Sequence, residues 1–188
     1  MNRTSGFSLV EVLGAVTAAM VIAAITIPSL TRASHSYKLA ALAREVEGQL
    51  QNTRFTSINH NKAASLLFFS GGNWYFLDSD GNGTVNGAEY PMWVPPGGFT
   101  LNCTSPSPPL SRSILGTNTD PVTLPNGGVA FTPRGIVVQV NPSQIPTSTR
   151  ISAPGVIYIR DPYGNYAAVT ITPAGRVRSW LLRGTVWQ

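Results

Sequence analysis

The sequence predicts an α+β chain: one long N-terminal helix followed by an antiparallel β-sandwich domain. Three observations carry this expectation. From Phe7 to Leu30 the only charge is Glu11, and roughly 20 mostly apolar residues suffice for a helix to cross a bilayer. Leu39, Leu42, Val46 and Leu50 then recur at helical spacing and mark one apolar stripe. Beyond residue 60, short apolar runs alternate with Gly, Pro, Asn and Asp clusters, which is the signature of hairpins.

The first run, 7–30, is expected to be transmembrane. Arg3 precedes it, and it lacks the small-residue cleavage site and the shorter apolar region of a secretory signal. A carboxylate near one end of a membrane span is costly and by default functional, which singles out Glu11. Residues 31–60 continue the helix in amphipathic form, with Arg44, Glu45, Glu47 and Gln51 opposite the stripe and Gly48 a soft spot. Asn59-His60-Asn61 marks its end.

Residues 61–188 form the β-rich domain. Ala64–Phe69, a Gly71-Gly72 turn and Trp74–Leu77 predict a hairpin against the end of the helix. Pro91–Pro125, rich in proline and poor in periodicity, predicts a long surface excursion with one strand at Gly98–Cys103. The last third is more regular. Val129–Phe131 and Ile136–Val138 flank Thr132-Pro133-Arg134-Gly135, and Val169–Ile171 and Arg176–Arg178 flank Thr172-Pro173-Ala174-Gly175. In each, proline presets the turn and glycine supplies the positive φ of a bulged hairpin. Val156–Arg160 adds a strand, closed by Asp161-Pro162-Tyr163-Gly164.

Composition narrows the function. Only 11% of residues are charged, with 18 Gly and 15 Pro, which suits a turn-rich domain facing the cell exterior. Cys103 is the sole cysteine, so no intramolecular disulfide or cysteine metal cage exists, and an inert buried thiol is expected. His35 and His60 have no matching nucleophile or carboxylate motif, and no Walker loop, Gly-x-Ser-x-Gly or zinc signature occurs. An enzyme is not expected. The net charge is +5, and from Ala130 onward six arginines (Arg134, Arg150, Arg160, Arg176, Arg178, Arg183) face one acid, Asp161. That makes the C-terminal third a candidate surface for phosphates, although solubility alone also accounts for it.

Gly6-Phe7 with Glu11 five residues into the apolar run resembles the type III signal of type IV pilins and pseudopilins. The resemblance implies a leader of residues 1–6, removed by a prepilin peptidase between Gly6 and Phe7, with methylation of the new N-terminal Phe7. It implies that Glu11 pairs with a neighbouring subunit's N-terminal amine during filament assembly, and Pro28 falls where pilins commonly carry a helix-kinking proline. The later hairpins narrow the likeness to the GspH/FimT group of minor pilins and pseudopilins. That implies a pilin-like fold, a start in the inner membrane, and a later place beside other pilins in a periplasmic or cell-surface filament. The system is open: a type IV pilus that takes up DNA, or a type II secretion pseudopilus that the subunit merely primes or caps.

Two constellations stand out. Gly175-Arg176-Val177-Arg178 resembles the GRxR motif with which FimT-like minor pilins bind DNA. Alternate strand residues share a face, so Arg176, Arg178 and Trp180 fall in one row, where double-stranded DNA would meet phosphate-binding arginines and a stacking ring. Arg134 and Arg183 are candidates to extend it. The second is Asp78-x-Asp80-x-Asn82-x-Thr84, closing at Glu89, with Gly83 at the sharp turn and Asn86 in the ninth place. This is the spacing of an EF-hand calcium loop. Its flanks read as strands, and Asp/Asn/Gly runs also make plain hairpin loops. No cofactor is required on this reading; calcium is the candidate.

Overall fold

The computed structural model describes residues 8–69, 73–87, 89–93, 97–101, 110, 122–124, 127–143 and 145–188. Its first element, α1, runs from Leu9 to Asn59. The helix stops in a defined way. Asn61 adopts a left-handed φ of 50°, the Lys62 amide reaches back to the Ser57 carbonyl at 3.2 Å, and the Asn61 amide to that of Ile58 at 3.3 Å. This is a Schellman cap, for which asparagine is the usual substitute for glycine. The described residues up to 37 form one compact unit and those from 38 onward another.

In the first unit the apolar side chains of the helix are exposed on every side. In the second, the stripe Leu39, Leu42, Ala43, Val46 and Leu50 is buried. Burying each such leucine fully contributes roughly 1.5–3 kcal/mol. The stripe continues in hydroxyls. Thr53 and Ser57 are fully buried, and each donates its hydroxyl to a carbonyl of its own helix, Gln49 and Arg54 respectively.

Twelve strands follow among the described residues: β1 (Ala64–Phe69), β2 (Trp74–Asp78), β3 (Met92–Trp93), β4 (Thr100–Leu101), β5 (Val122–Thr123), β6 (Gly128–Phe131), β7 (Val137–Val140), β8 (Pro146–Arg150), β9 (Gly155–Arg160), β10 (Tyr166–Ile171), β11 (Val177–Arg183) and β12 (Val186–Trp187). One sheet has the order β3-β2-β1-β6-β7-β8 and the other β12-β11-β10-β9-β4. Among the described residues all strand pairs are antiparallel except that of two-residue β5, which runs parallel to β9. Alternation assigns the faces. Leu66, Phe68, Val129 and Phe131 of the first sheet join Ile157, Ile159, Val169 and Ile171 of the second, with the helix stripe, in one core. The outer face of each sheet carries a smaller cluster, one around Phe76 and Val138, the other around Tyr158 and Trp187.

The Pro91–Pro125 expectation needs correction. Its described residues include buried Phe99, Leu101, Leu110 and Leu124, and β3, β4 and β5 tie it to both sheets. The stretch is therefore partly core, because isolated apolar residues among prolines are sufficient to anchor a chain that has no periodicity. The strand expected over Gly98–Cys103 is present as Thr100–Leu101. Cys103 and Gly71-Gly72 lie outside the described residues.

Candidate functional site

The arginine-bearing turns are built alike. Thr132 donates its amide to the Ile136 carbonyl at 2.9 Å and accepts from the Gly135 amide at 2.7 Å; Thr172 does the same with Arg176 and Gly175 at 2.9 and 2.8 Å. Each threonine hydroxyl also accepts the amide four residues on. Gly135 and Gly175 take φ of 70° and 83°, the left-handed values that favour glycine. The two turns touch: a Cβ at Gly175 would lie 3.1 Å from the Gly135 carbonyl oxygen. Arg134 and Arg176, 42 positions apart in number, thus project from adjoining turns, and both are exposed.

Beyond the second turn the row alternates as the strand dictates. Val177 is buried while Arg178 is exposed and Trp180 half-buried. The Arg178 guanidinium carbon lies 5.9 Å from the Trp180 ring centroid, within cation–π range. Trp180 is fixed in turn by its indole N–H, which donates to the Thr170 hydroxyl at 3.0 Å. Arg183 is not part of this group. It sits at the far end of β11 on the other parity, so it neither adjoins the turns nor shares the Arg178 face.

The 78–89 loop folds around two carboxylates. Asp78, the last residue of β2, is fully buried. Its Oδ1 accepts the Gly81 and Asn82 amides at 2.7 and 3.2 Å, and its Oδ2 accepts the Gly83 amide at 2.9 Å and the Ser65 hydroxyl at 3.0 Å. Glu89 takes the Ser79 amide at 2.7 Å and the Asn86 amide at 3.3 Å. Carboxylate oxygens of Asp78, Asp80 and Glu89 all lie within 4.8 Å of one another. Asn82 accepts from the Thr84 amide and hydroxyl, both at 2.8 Å. Burial pushes the Asp78 carboxyl above the ordinary carboxylate value, against the pull of its amide donors. The Asn86 side-chain amide holds exposed Asp80 below it. An all-oxygen set with converging acids suits a hard cation such as calcium.

With the long helix, two antiparallel sheets and paired hairpins described, the comparison with solved structures becomes informative. The structure is similar to that of the type IV minor pilin FimU of Pseudomonas aeruginosa (strain PAO1), with a TM-score of 0.50 and 14% sequence identity, over 81% of this chain and 93% of that one. The chain has a type IV pilin-like fold. No protein-family model matches the sequence, and neither does any curated protein.

Within this pilin-like fold, Glu11 lies in the first turn of α1, on the exposed apolar segment. Gly6 and Phe7 lie outside the described residues. Sequence reasoning missed Arg54, and it named Arg150 without placing it beside Arg134. Arg54 donates its Nη1 to the Gly175 carbonyl at 3.3 Å, a contact between positions 121 apart that no local pattern announces. Arg150 lines a groove with Arg134; its strand, β8, was detectable only through Asn141-Pro142. Asn141 repeats the threonine wiring: its amide donates to the Ile145 carbonyl and its Oδ1 accepts the Ile145 amide, both at 2.9 Å.

Proposed function

We propose that this chain is a minor pilin or pseudopilin. Residues 7–30 hold it in the inner membrane, a prepilin peptidase trims it between Gly6 and Phe7, and it packs with other pilins into a periplasmic or cell-surface filament. The observation that carries this reading is the union of a pilin-like β unit with a helix that offers apolar side chains all round. Leu9, Val10, Leu13, Met20, Ile22, Ile25 and Leu30 are between 62 and 78% exposed, and at 3.6 residues per turn they are spread around the whole helix. Such a helix needs lipid or other apolar helices around it. Glu11, the lone carboxylate there, becomes tolerable when it meets a cation inside a bundle. The work of the subunit is assembly and display, not catalysis.

The displayed surface is proposed to bind double-stranded DNA through Arg176, Arg178 and Trp180, with Arg134 alongside. Two features support it. Arg178 stacks on Trp180, and the sole acid beyond Ala130 is withdrawn: Asp161 is 1% exposed, its oxygens taken by the Tyr163 and Asn165 amides and the Asn165 side chain. The exposed charge of that third is therefore arginine. The 78–89 loop is proposed to hold calcium, on its ligand spacing and converging oxygens.

The primary test is processing. Co-expression with a prepilin peptidase should yield a mature chain whose intact mass lacks residues 1–6 and carries one added methyl. An unchanged mass, with the chain still in the membrane, would reject the pilin reading. A trimmed chain that ignores DNA would instead be a purely structural pseudopilin.

A further inference from the structure

A groove of about 340 Å³ opens beside the first Thr-Pro-x-Gly turn. Pro133, Ile136 and Val138 give it an apolar floor, Arg134 and Arg150 stand at its sides, and Ser148 adds a hydroxyl. Both arginines and Ser148 are exposed, and none of the described lining residues is acidic. Its placement follows from register. Ile136 and Val138 share one parity, and Val138 pairs with Arg150 across β7 and β8, so floor and arginine lie on one face. The groove begins at the turn that touches Gly175, one residue from Arg176.

Charge and shape together specify the occupant. Two guanidiniums with no acid call for phosphates, which arginine grips bidentately. An apolar floor between them calls for something flat and apolar between two phosphates. A duplex keeps its bases stacked inside and presents only its backbone, so it has no use for the floor. An unpaired nucleotide does: its base lies on the floor while its flanking phosphates meet the arginines. The volume falls within the range of small-ligand sites, about 300–1,000 Å³. Resting on the DNA-binding reading above, we propose that this groove holds one nucleotide of single-stranded DNA.

The test uses the full chain in a neutral detergent, titrated with two labelled probes over a range of salt. One is an oligothymidine of about a dozen nucleotides, within the range one such surface covers; the other is a duplex of equal length. Arg150→Ala should weaken oligothymidine binding about fivefold, since a phosphate contact beside the stacked base is lost. The salt slope should fall by about 0.7, for the one single-strand phosphate contact. Duplex affinity should stay within about twofold of wild type, because its contacts at Arg134, Arg176 and Arg178 are intact. Arg176→Ala/Arg178→Ala should weaken both probes. Wild-type oligothymidine affinity in the groove variant, with duplex binding lost in the Arg176/Arg178 variant, overturns the groove and leaves the DNA reading standing. Equal weakening of both probes by the groove variant also overturns it, since Arg150 would then be acting as general positive charge. Failure of the wild-type chain to bind either probe overturns both.

Discussion

Arg54 reaches from the end of the helix to donate its Nη1 to the carbonyl of Gly175 at 3.3 Å, beneath the turn that launches Arg176 and Arg178. The same guanidinium lies against the other turn: a Cβ at Gly135 would come within 2.9 Å of Arg54 Nε. One side chain therefore sits under both hairpins, and Ser57 adds a bond to the Thr132 carbonyl at 3.1 Å. The Arg54 Nε is buried with no hydrogen-bond partner, so the site tolerates an unmet donor to keep the planar group in place. Arg54→Ala should cost about 1–3 kcal/mol, the range for losing a charge-assisted bond and stranding its acceptor. Arg54→Lys should recover only part, because an ammonium cannot lie flat between two turns. Urea denaturation in detergent reads both. An alanine variant as stable as wild type would show that the junction is held by packing alone.

Gly175 and Gly164 allow a controlled comparison. Both take left-handed φ, 83° and 82°, but nothing lies within 4 Å of a Cβ at Gly164, whereas at Gly175 the Gly135 oxygen lies at 3.1 Å and the Arg54 guanidinium carbon at 3.3 Å. Alanine at either position meets backbone strain of about 1–2 kcal/mol. At Gly175 it must also separate the two turns. Gly175→Ala should therefore lower the melting temperature clearly more than Gly164→Ala, and equal losses would contradict the close approach.

How far these features could be read in the chain differs by element. The Thr-Pro-x-Gly turns were legible because a turn's chemistry is local: proline, glycine and a capping hydroxyl act within five residues. The helix stripe was legible by period, and β1 as a short continuous apolar run. β8 was not, since Pro-Thr-Ser-Thr-Arg at a sheet edge has exposed side chains and no apolar alternation. β12, two residues long, is held by contacts with Leu182 and Arg183 rather than by its own pattern. Leu110 is buried in a cluster with distant Tyr158 and Trp187. The convergence of the turns on Arg54 is likewise a product of topology. Spacing proposed the acidic loop, whereas only the fold reveals that Asp78 is sunk and Asp80 is not.

That difference gives the calcium proposal a pH dependence. Burial raises the Asp78 carboxyl in the folded state, so its stability contribution is fully present below the ordinary carboxylate value and is lost as pH climbs through the raised one. Exposed Asp80, lowered by Asn86, works in the opposite sense: its contribution is present above the ordinary value and lost as pH falls through the lowered one. Once ionised, buried Asp78 is a cost that a bound cation offsets. Calcium should raise the melting temperature at neutral pH, a chelator should reverse the rise, and the rise should shrink in acid as Asp78 takes up a proton. Asp80→Ala should remove the response with little change in the calcium-free protein. Identical melting in calcium and chelator at neutral pH would mean a plain loop held by its own hydrogen bonds.

For duplex DNA, the Arg176→Ala/Arg178→Ala variant should bind more weakly, with a salt slope reduced by up to about 1.8, roughly 0.9 per lost phosphate contact. Trp180→Leu should weaken binding with less change in slope, because it removes the ring that orients Arg178 and leaves the charge. Fluorescence anisotropy over a salt series separates the two. An unchanged slope in the double arginine variant would falsify a phosphate contact at either position.

The last prediction concerns Glu11, where insertion and assembly should part company. A lone carboxylate in a membrane span costs about 2.5–3.5 kcal/mol at the centre of the bilayer and less toward the ends. Replacing Glu11 with valine should therefore leave membrane insertion intact or improve it. If the carboxylate meets a neighbour's N-terminal amine in the filament, the same change should remove the variant from sheared filaments while the processed chain accumulates in the membrane. Glu11→Gln, which keeps the shape and a weaker acceptor, should fall between. Quantitative immunoblots of membrane and sheared fractions decide it. Wild-type recovery of Glu11→Val from filaments would leave the carboxylate without an assembly role, and the apolar surface of the helix would have to account for packing by itself.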